Sequence, residues 1–168
     1  MNTRDLSSTL TWLYSELVAG ANNPGGAFVL NTGDVGLLRS LEKLSATDAS
    51  RSSLGGATIA AHALHLAYGL SLMNRWAAEG GNPFADAKWD AAWKTSVVDE
   101  TEWSAIRREL TEETNRWLHH LGEPRDVSIV ELNGMVGSIA HLAYHLGAIR
   151  QIDRNTRGPK EGTFPSAG

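Results

Sequence analysis

Leu6, Leu10, Leu13 and Leu17 recur at helical spacing with Ser, Thr and Glu between them, a pattern that predicts an amphipathic helix over residues 3–20. Gly20 and the run Asn22-Asn23-Pro24-Gly25-Gly26 stop it. A shorter helix is expected from Asp34, an N-cap residue type, carrying Leu37, Leu38, Leu41 and Leu44. Together with the polar stretch Ser45 to Ser53 after it, this short helix reads as a connection and not as a wall of the bundle. From Ser52 through Asn74 the chain runs 23 residues without Asp, Glu, Lys or Arg, yet Ile59, Ala63, Leu66, Leu70 and Met73 keep helical spacing. This second long helix is expected to be buried on most sides and to end in Ala77-Ala78-Glu79-Gly80-Gly81.

The loop that follows carries Asn82-Pro83 and the i,i+4 pair Trp89/Trp93, expected to cap one end of the core. Asp99 followed by Glu102 marks the start of a third helix. Trp103, Ile106, Leu110, Trp117 and Leu121 form its apolar stripe, Arg107, Arg108, Glu109, Glu112 and Glu113 its wet face, and Gly122 and Pro124 close it. Ser128-Ile129-Val130-Glu131 has capping-box spacing and opens a fourth helix expected to run to about Asn155, uncharged from Leu132 to Ile149. No strand alternation competes with these stripes. The class is all-α, and four long helices with an extra short helix between the first and second suggest a four-helix bundle over residues 1–156, followed by a flexible tail, 157–168. The two uncharged stretches each hold two histidines among Gly, Ser, Thr or Asn, which fits central helices of a soluble bundle better than membrane spans.

Composition narrows the function. A chain of 168 residues, 42% hydrophobic and 20% charged, suits one globular domain. A net charge of -4 gives no basic surface for nucleic acid. The absence of cysteine excludes disulfides, thiolate ligands and a cysteine nucleophile, so imidazole and carboxylate are the available metal chemistry, and any thiol must come from a substrate. The start Met1-Asn2-Thr3-Arg4-Asp5 does not read as a signal peptide, and a cytoplasmic location is expected.

Four of the six histidines, His62, His65, His141 and His145, lie in the two uncharged segments. A buried imidazole must be hydrogen-bonded or ligated, because leaving it unpaired costs about 1–3 kcal/mol. His141 and His145 are four apart on one helix, with Cβ atoms about 6 Å apart, so both can reach an ion at the roughly 2.0–2.1 Å of a Zn–N bond. Gly134, Gly137, Ser138 and Ala148 share that face and are small, while Leu132, Ile139, Ala143 and Leu146 lie on the far side. The histidine face can therefore leave a hollow. A third ligand would come from His62 or His65. Periodicity places His62 nearer the stripe centred on Leu66 and His65 at its edge, which leaves the choice open. The competing reading is a set of histidines that merely pack. His119 and His120, at the end of the third helix, read as cations favoured by a helix C-terminus.

The segments Thr58-Ile59-Ala60-Ala61-His62-Ala63-Leu64-His65-Leu66-Ala67 and Ile139-Ala140-His141-Leu142-Ala143-Tyr144-His145-Leu146-Gly147-Ala148-Ile149 resemble the DinB/YfiT-like superfamily. The resemblance implies a four-helix bundle in up-down-down-up order, usually dimeric, with a divalent metal, commonly nickel or zinc, on three histidines. One comes from the second long helix just before a Leu-Ala pair, and two from an HxxxH on the last helix. Those positions match His65, followed by Leu66-Ala67, and His141 and His145; His62 becomes a neighbour of the ligands. After the last histidine the family's common Arg-Gly-Gln-Ile is replaced by Leu146-Gly147-Ala148-Ile149, with Arg150 and Gln151 downstream, so a family-typical substrate contact from that turn does not carry over.

Three neutral imidazoles leave a divalent ion its full charge and an open position, the arrangement of a catalytic site. The superfamily includes transferases and isomerases that use low-molecular-weight thiols. The expectation is thus a metal-dependent enzyme of the thiol-dependent transferase or hydrolase type acting on a small molecule, with nickel or zinc, or iron as a third candidate. His62, Tyr68, Asn133, Ser138 and Tyr144 are expected around the ligands or along a pocket. No carboxylate in either histidine helix lies near the ligands, so no separate general base is assigned. A homodimer is expected from the wide apolar surface of the two central helices and from the family habit. The alternative from another class is a metal-stabilised small-molecule-binding or stress-response scaffold without catalysis. A di-iron site is disfavoured for want of inward carboxylates, and HExxH is absent.

Overall fold

In the computed structural model, which describes residues 3–22, 26–95 and 97–159, the protein is all-helical. No strand occurs among the described residues. Helix α1 (Arg4–Ala19) is followed by two short helices, α2 (Gly36–Glu42) and α3 (Ala46–Ala49), then by α4 (Ile59–Glu79). A single turn, α5 (Asp90–Trp93), precedes α6 (Glu100–Gly122) and α7 (Ile129–Ile152), and a 3₁₀ turn follows at Arg154–Thr156. Three of the long helices start where their caps dictate. Asp99 with Glu102 and Ser128 with Glu131 form complete capping boxes, and the Thr58 hydroxyl accepts the Ala61 N–H.

Two details differ from the sequence reading. Helix α2 is preceded by Val35, not capped by Asp34, because the Asp34 carboxylate is drawn inward, where it accepts the Gly36 N–H (2.8 Å) and an Arg150 guanidinium N–H (2.7 Å). The polar stretch after α2 is not a plain connection either. Ser45 and Asp48 build a third capping box that starts α3, and its buried Ala46 and Ala49 join the core.

Helix α1 packs against α6 and α7, and α4 packs against the same two. The side chains between them, among them Tyr14, Leu17, Leu66, Trp103, Trp117 and Leu142, are almost wholly inaccessible. The Trp103 indole donates to the Leu44 carbonyl (2.9 Å) and fastens α6 to the end of α2. The chain passes from α1 to α2 through a crossing that only glycine permits: Gly20 (φ 103°) and Gly36 (φ 74°) lie against each other, and a Cβ on Gly36 would sit 2.5 Å from the Gly20 nitrogen. Beside it, the buried Glu16 carboxylate accepts the backbone N–H groups of Phe28, Val29 and Leu30 at 2.6–3.1 Å and pins the following loop.

Of the expected tail, Arg157 is tied back through its Nε to the Arg150 carbonyl (2.9 Å), whereas residues 160–168 lie outside the described residues. Among the described residues no helix is long and apolar enough to cross a membrane.

Candidate metal centre

The Thr58 cap sets the start of α4, so His62 and His65 fall in its first two turns, facing His141 and His145 of α7. His65 and His145 are buried (8% and 2% exposed), while His141 is open to solvent. Three Nε2 atoms converge: that of His141 lies 3.2 Å from His65 Nε2 and 3.0 Å from His145 Nε2. His65, His141 and His145 form the one group of three or more His, Asp or Glu among the described residues whose donor atoms, within 4.8 Å of one another, could hold a metal ion.

The nitrogen spacing fits such an ion. With metal–nitrogen bonds of about 2.0–2.1 Å, separations of 3.0–3.2 Å correspond to angles of about 91–106° at the metal, between octahedral and tetrahedral values. Hydrogen bonding alone fits less well, because the Nε2 of a neutral His141 offers either one proton or one in-plane lone pair and so pairs well with only one of the two nitrogens crowding it.

His62 completes the cluster from outside. Its Nδ1 lies 2.8 Å from His145 Nδ1. If His145 gives its Nε2 lone pair to a metal, its one proton sits on Nδ1 and is donated to His62, whose own proton is then on Nε2. The buried Nδ1 of His65 has no hydrogen-bond partner among the described residues. Burial pushes the His65 imidazole down to about 4, helped by His141 and His62, and pushes His145 down to about 3, helped by His141, His62 and His65; burial also lowers His62 and His141. All four rings are therefore neutral near pH 7, the state a metal ligand requires.

The tryptophans lie elsewhere than the sequence suggested. Trp93 does not cap the end of the core but stacks on His65 (centroids 4.3 Å apart, 29° between planes) and on His145 (5.9 Å, 28°), with the His62 ring edge-on to it. Trp89 leans on His65 and meets Tyr68 edge-on. Together they roof one side of the histidines. The i,i+4 spacing of the two rings was visible in the sequence, but the direction of the loop that carries them was not.

The remaining candidates scatter. Tyr68 turns its hydroxyl to the loop and accepts the Lys88 N–H (2.8 Å). Ser138 accepts from the Trp117 indole (2.8 Å) and donates to the Met135 carbonyl (2.7 Å). Tyr144 is exposed, its ring edge-on to His145 at 5.0 Å, and Asn133 is exposed, with no hydrogen bond from its side chain among the described residues. His120 does not behave as a favoured cation: burial, with Arg125, His119 and Arg116 nearby, lowers its pKa.

The hollow expected on the histidine face exists. A cavity of about 290 Å³ lies beside His141 between α4 and α7, with Gly134, Gly137 and Ser138 on its α7 wall; Ala148 is not part of it. Compared with known proteins, the chain matches no family model, no curated protein and no solved structure.

Proposed function

We propose that the protein is a metal-dependent enzyme of the DinB/YfiT-like type, a four-helix bundle in up-down-down-up order that carries out thiol-dependent transfer or hydrolysis on a small molecule. The observation that carries this reading is the convergence of three neutral Nε2 donors from two helices, with no carboxylate in the group and one side left open. The cyclic packing of α1, α6, α4 and α7 supports the bundle, and the resemblance of the two histidine helices supports the family. Nickel or zinc suits an all-imidazole donor set best, with iron next. Held there, such an ion would supply Lewis acidity to a water, thiol or carbonyl group.

The chain's own residues divide the remaining work. His65, His141 and His145 present unprotonated nitrogens, His62 holds the His145 ring in its orientation, and Trp93 keeps water from one side. Substrate approaches on the other, where His141 is exposed and the cavity opens. In the proposed assembly two copies pair as a homodimer in the cytoplasm.

The test is a mass-balance assay of metal-loaded protein with a low-molecular-weight thiol and an electrophilic acceptor. Thiol consumption matched by thioether formation, lost in His145→Ala, is expected. A protein that holds metal and retains the acceptor unchanged would instead be the non-catalytic scaffold.

A further inference from the structure

The cavity beside His141 has an unusual lining. No charged residue reaches it, and its walls are aliphatic side chains of α4 and α7, the glycine backbone at 134 and 137, and the rings of Phe84 and Trp89, stacked at 15° with centroids 6.1 Å apart. Among the described residues its polar side-chain atoms are those of Ser138 and His141 and the indole N–H of Trp89. The Ser138 hydroxyl is already used as both donor and acceptor. His141 is the one that belongs to the histidine cluster, and the Trp89 indole N–H and a second lone pair on Ser138 are the other polar sites on the wall.

Glycine keeps the space open. A Cβ on Gly137 would meet nothing within 4 Å, and one on Gly69 would stand 4.0 Å from His141 Cε1 and 3.8 Å from the Trp89 ring. A larger residue at Gly69 would take up room next to the histidine, and a ring at Gly137 would have open space on the cavity wall to occupy.

We propose that this cavity receives the uncharged, ring-bearing body of a small organic substrate and holds its reacting atom beside the histidine cluster, on the side of His141. The role as substrate rests on the metal-enzyme reading; the selectivity of the cavity does not. A carboxylate or ammonium group held against these walls would give up part of its hydration with no charged partner in return, whereas a flat ring gains apolar burial and contact with Phe84 and Trp89. Size agrees. A dry apolar cavity of about 150 Å³ takes up benzene, so 290 Å³ suits one substituted ring or two fused ones.

The test uses full-length protein, as purified and after metal removal, with three fluorinated probes of similar shape followed by ¹⁹F NMR: 4-fluorotoluene, 4-fluorobenzoate and 4-fluorobenzylammonium. In the metal-stripped protein the neutral probe is expected to bind, each charged probe roughly tenfold more weakly or worse, and Gly137→Phe to weaken the neutral probe by roughly fivefold or more. Equal binding of a charged probe, no binding of 4-fluorotoluene up to its solubility, or unchanged binding in Gly137→Phe would overturn the proposal. Should Gly137→Phe not fold, Phe84→Ala takes its place with the same expected loss and the same contrary result. Metal content measured on the same samples separates the two claims: selective probe binding without metal uptake defeats the enzyme reading alone, and metal uptake without probe binding defeats this one alone.

Discussion

The Nδ1 atoms of His62 and His145 stand 2.8 Å apart, and this contact decides which nitrogen of His145 faces His65 and His141. Partners that hold a ligating imidazole by its second nitrogen typically change metal affinity by about 10–100-fold when removed. His62→Phe is accordingly expected to weaken metal binding within that range without abolishing it, as read by competition with a chromophoric chelator. Unchanged affinity would mean that His62 merely packs.

Acid should loosen the metal-free protein. Unfolded, each imidazole takes up a proton near pH 6.5, whereas in the folded chain His65 resists until about 4 and His145 until about 3. Between these limits the unfolded state binds more protons, so the stability these histidines contribute is complete above pH 6.5 and drains away as pH falls toward 4. Urea denaturation at pH 7 and pH 5 should show a lower midpoint at pH 5, with a smaller difference in His145→Gln. An equal or larger difference in that variant would contradict this origin.

Much of this arrangement was legible in the sequence because it depends on local spacing. The caps at Asp99 and Ser128 begin their helices as read, and the pairing of His141 with His145 follows from the helical repeat. The small residues Gly134, Gly137 and Ser138 foretold a hollow that is present. Periodicity could not choose between His62 and His65, since both reach the cluster and only the twist of α4 against α7 decides which nitrogen turns inward. Contacts between distant segments and backbone atoms were invisible. Glu16 looked like one polar position on α1, but its partners are three N–H groups 12–14 residues on. Asp34 had the right residue type for a cap, yet its stronger partner, Arg150, is 116 positions away.

That Asp34–Arg150 pair is almost wholly buried, with side chains 2% and 15% exposed. Removing one partner of a buried ion pair strands the other, so Asp34→Ala is expected to cost about 3 kcal/mol in chemical denaturation. Metal content should stay at the wild-type level. A loss below about 1 kcal/mol, the worth of an exposed pair, would contradict the account.

Glu16 should matter through its loop. Glu16→Ala removes the acceptor for the N–H groups of Phe28, Val29 and Leu30, and a loss of about 2 kcal/mol is expected after partial replacement by water. Hydrogen exchange would report it directly: those three amides should lose protection while the amides of α4 and α7 keep theirs. Retained protection at Val29 and Leu30 would show that the loop is held by other contacts.

The central claim is that His65, His141 and His145 hold one divalent ion, and elemental analysis of tag-free protein beside His145→Ala tests it most directly. Near-stoichiometric nickel, zinc or iron in the wild type, lost in the variant, is the expected result. A wild type that carries no metal and takes up none of the three when they are supplied would contradict it.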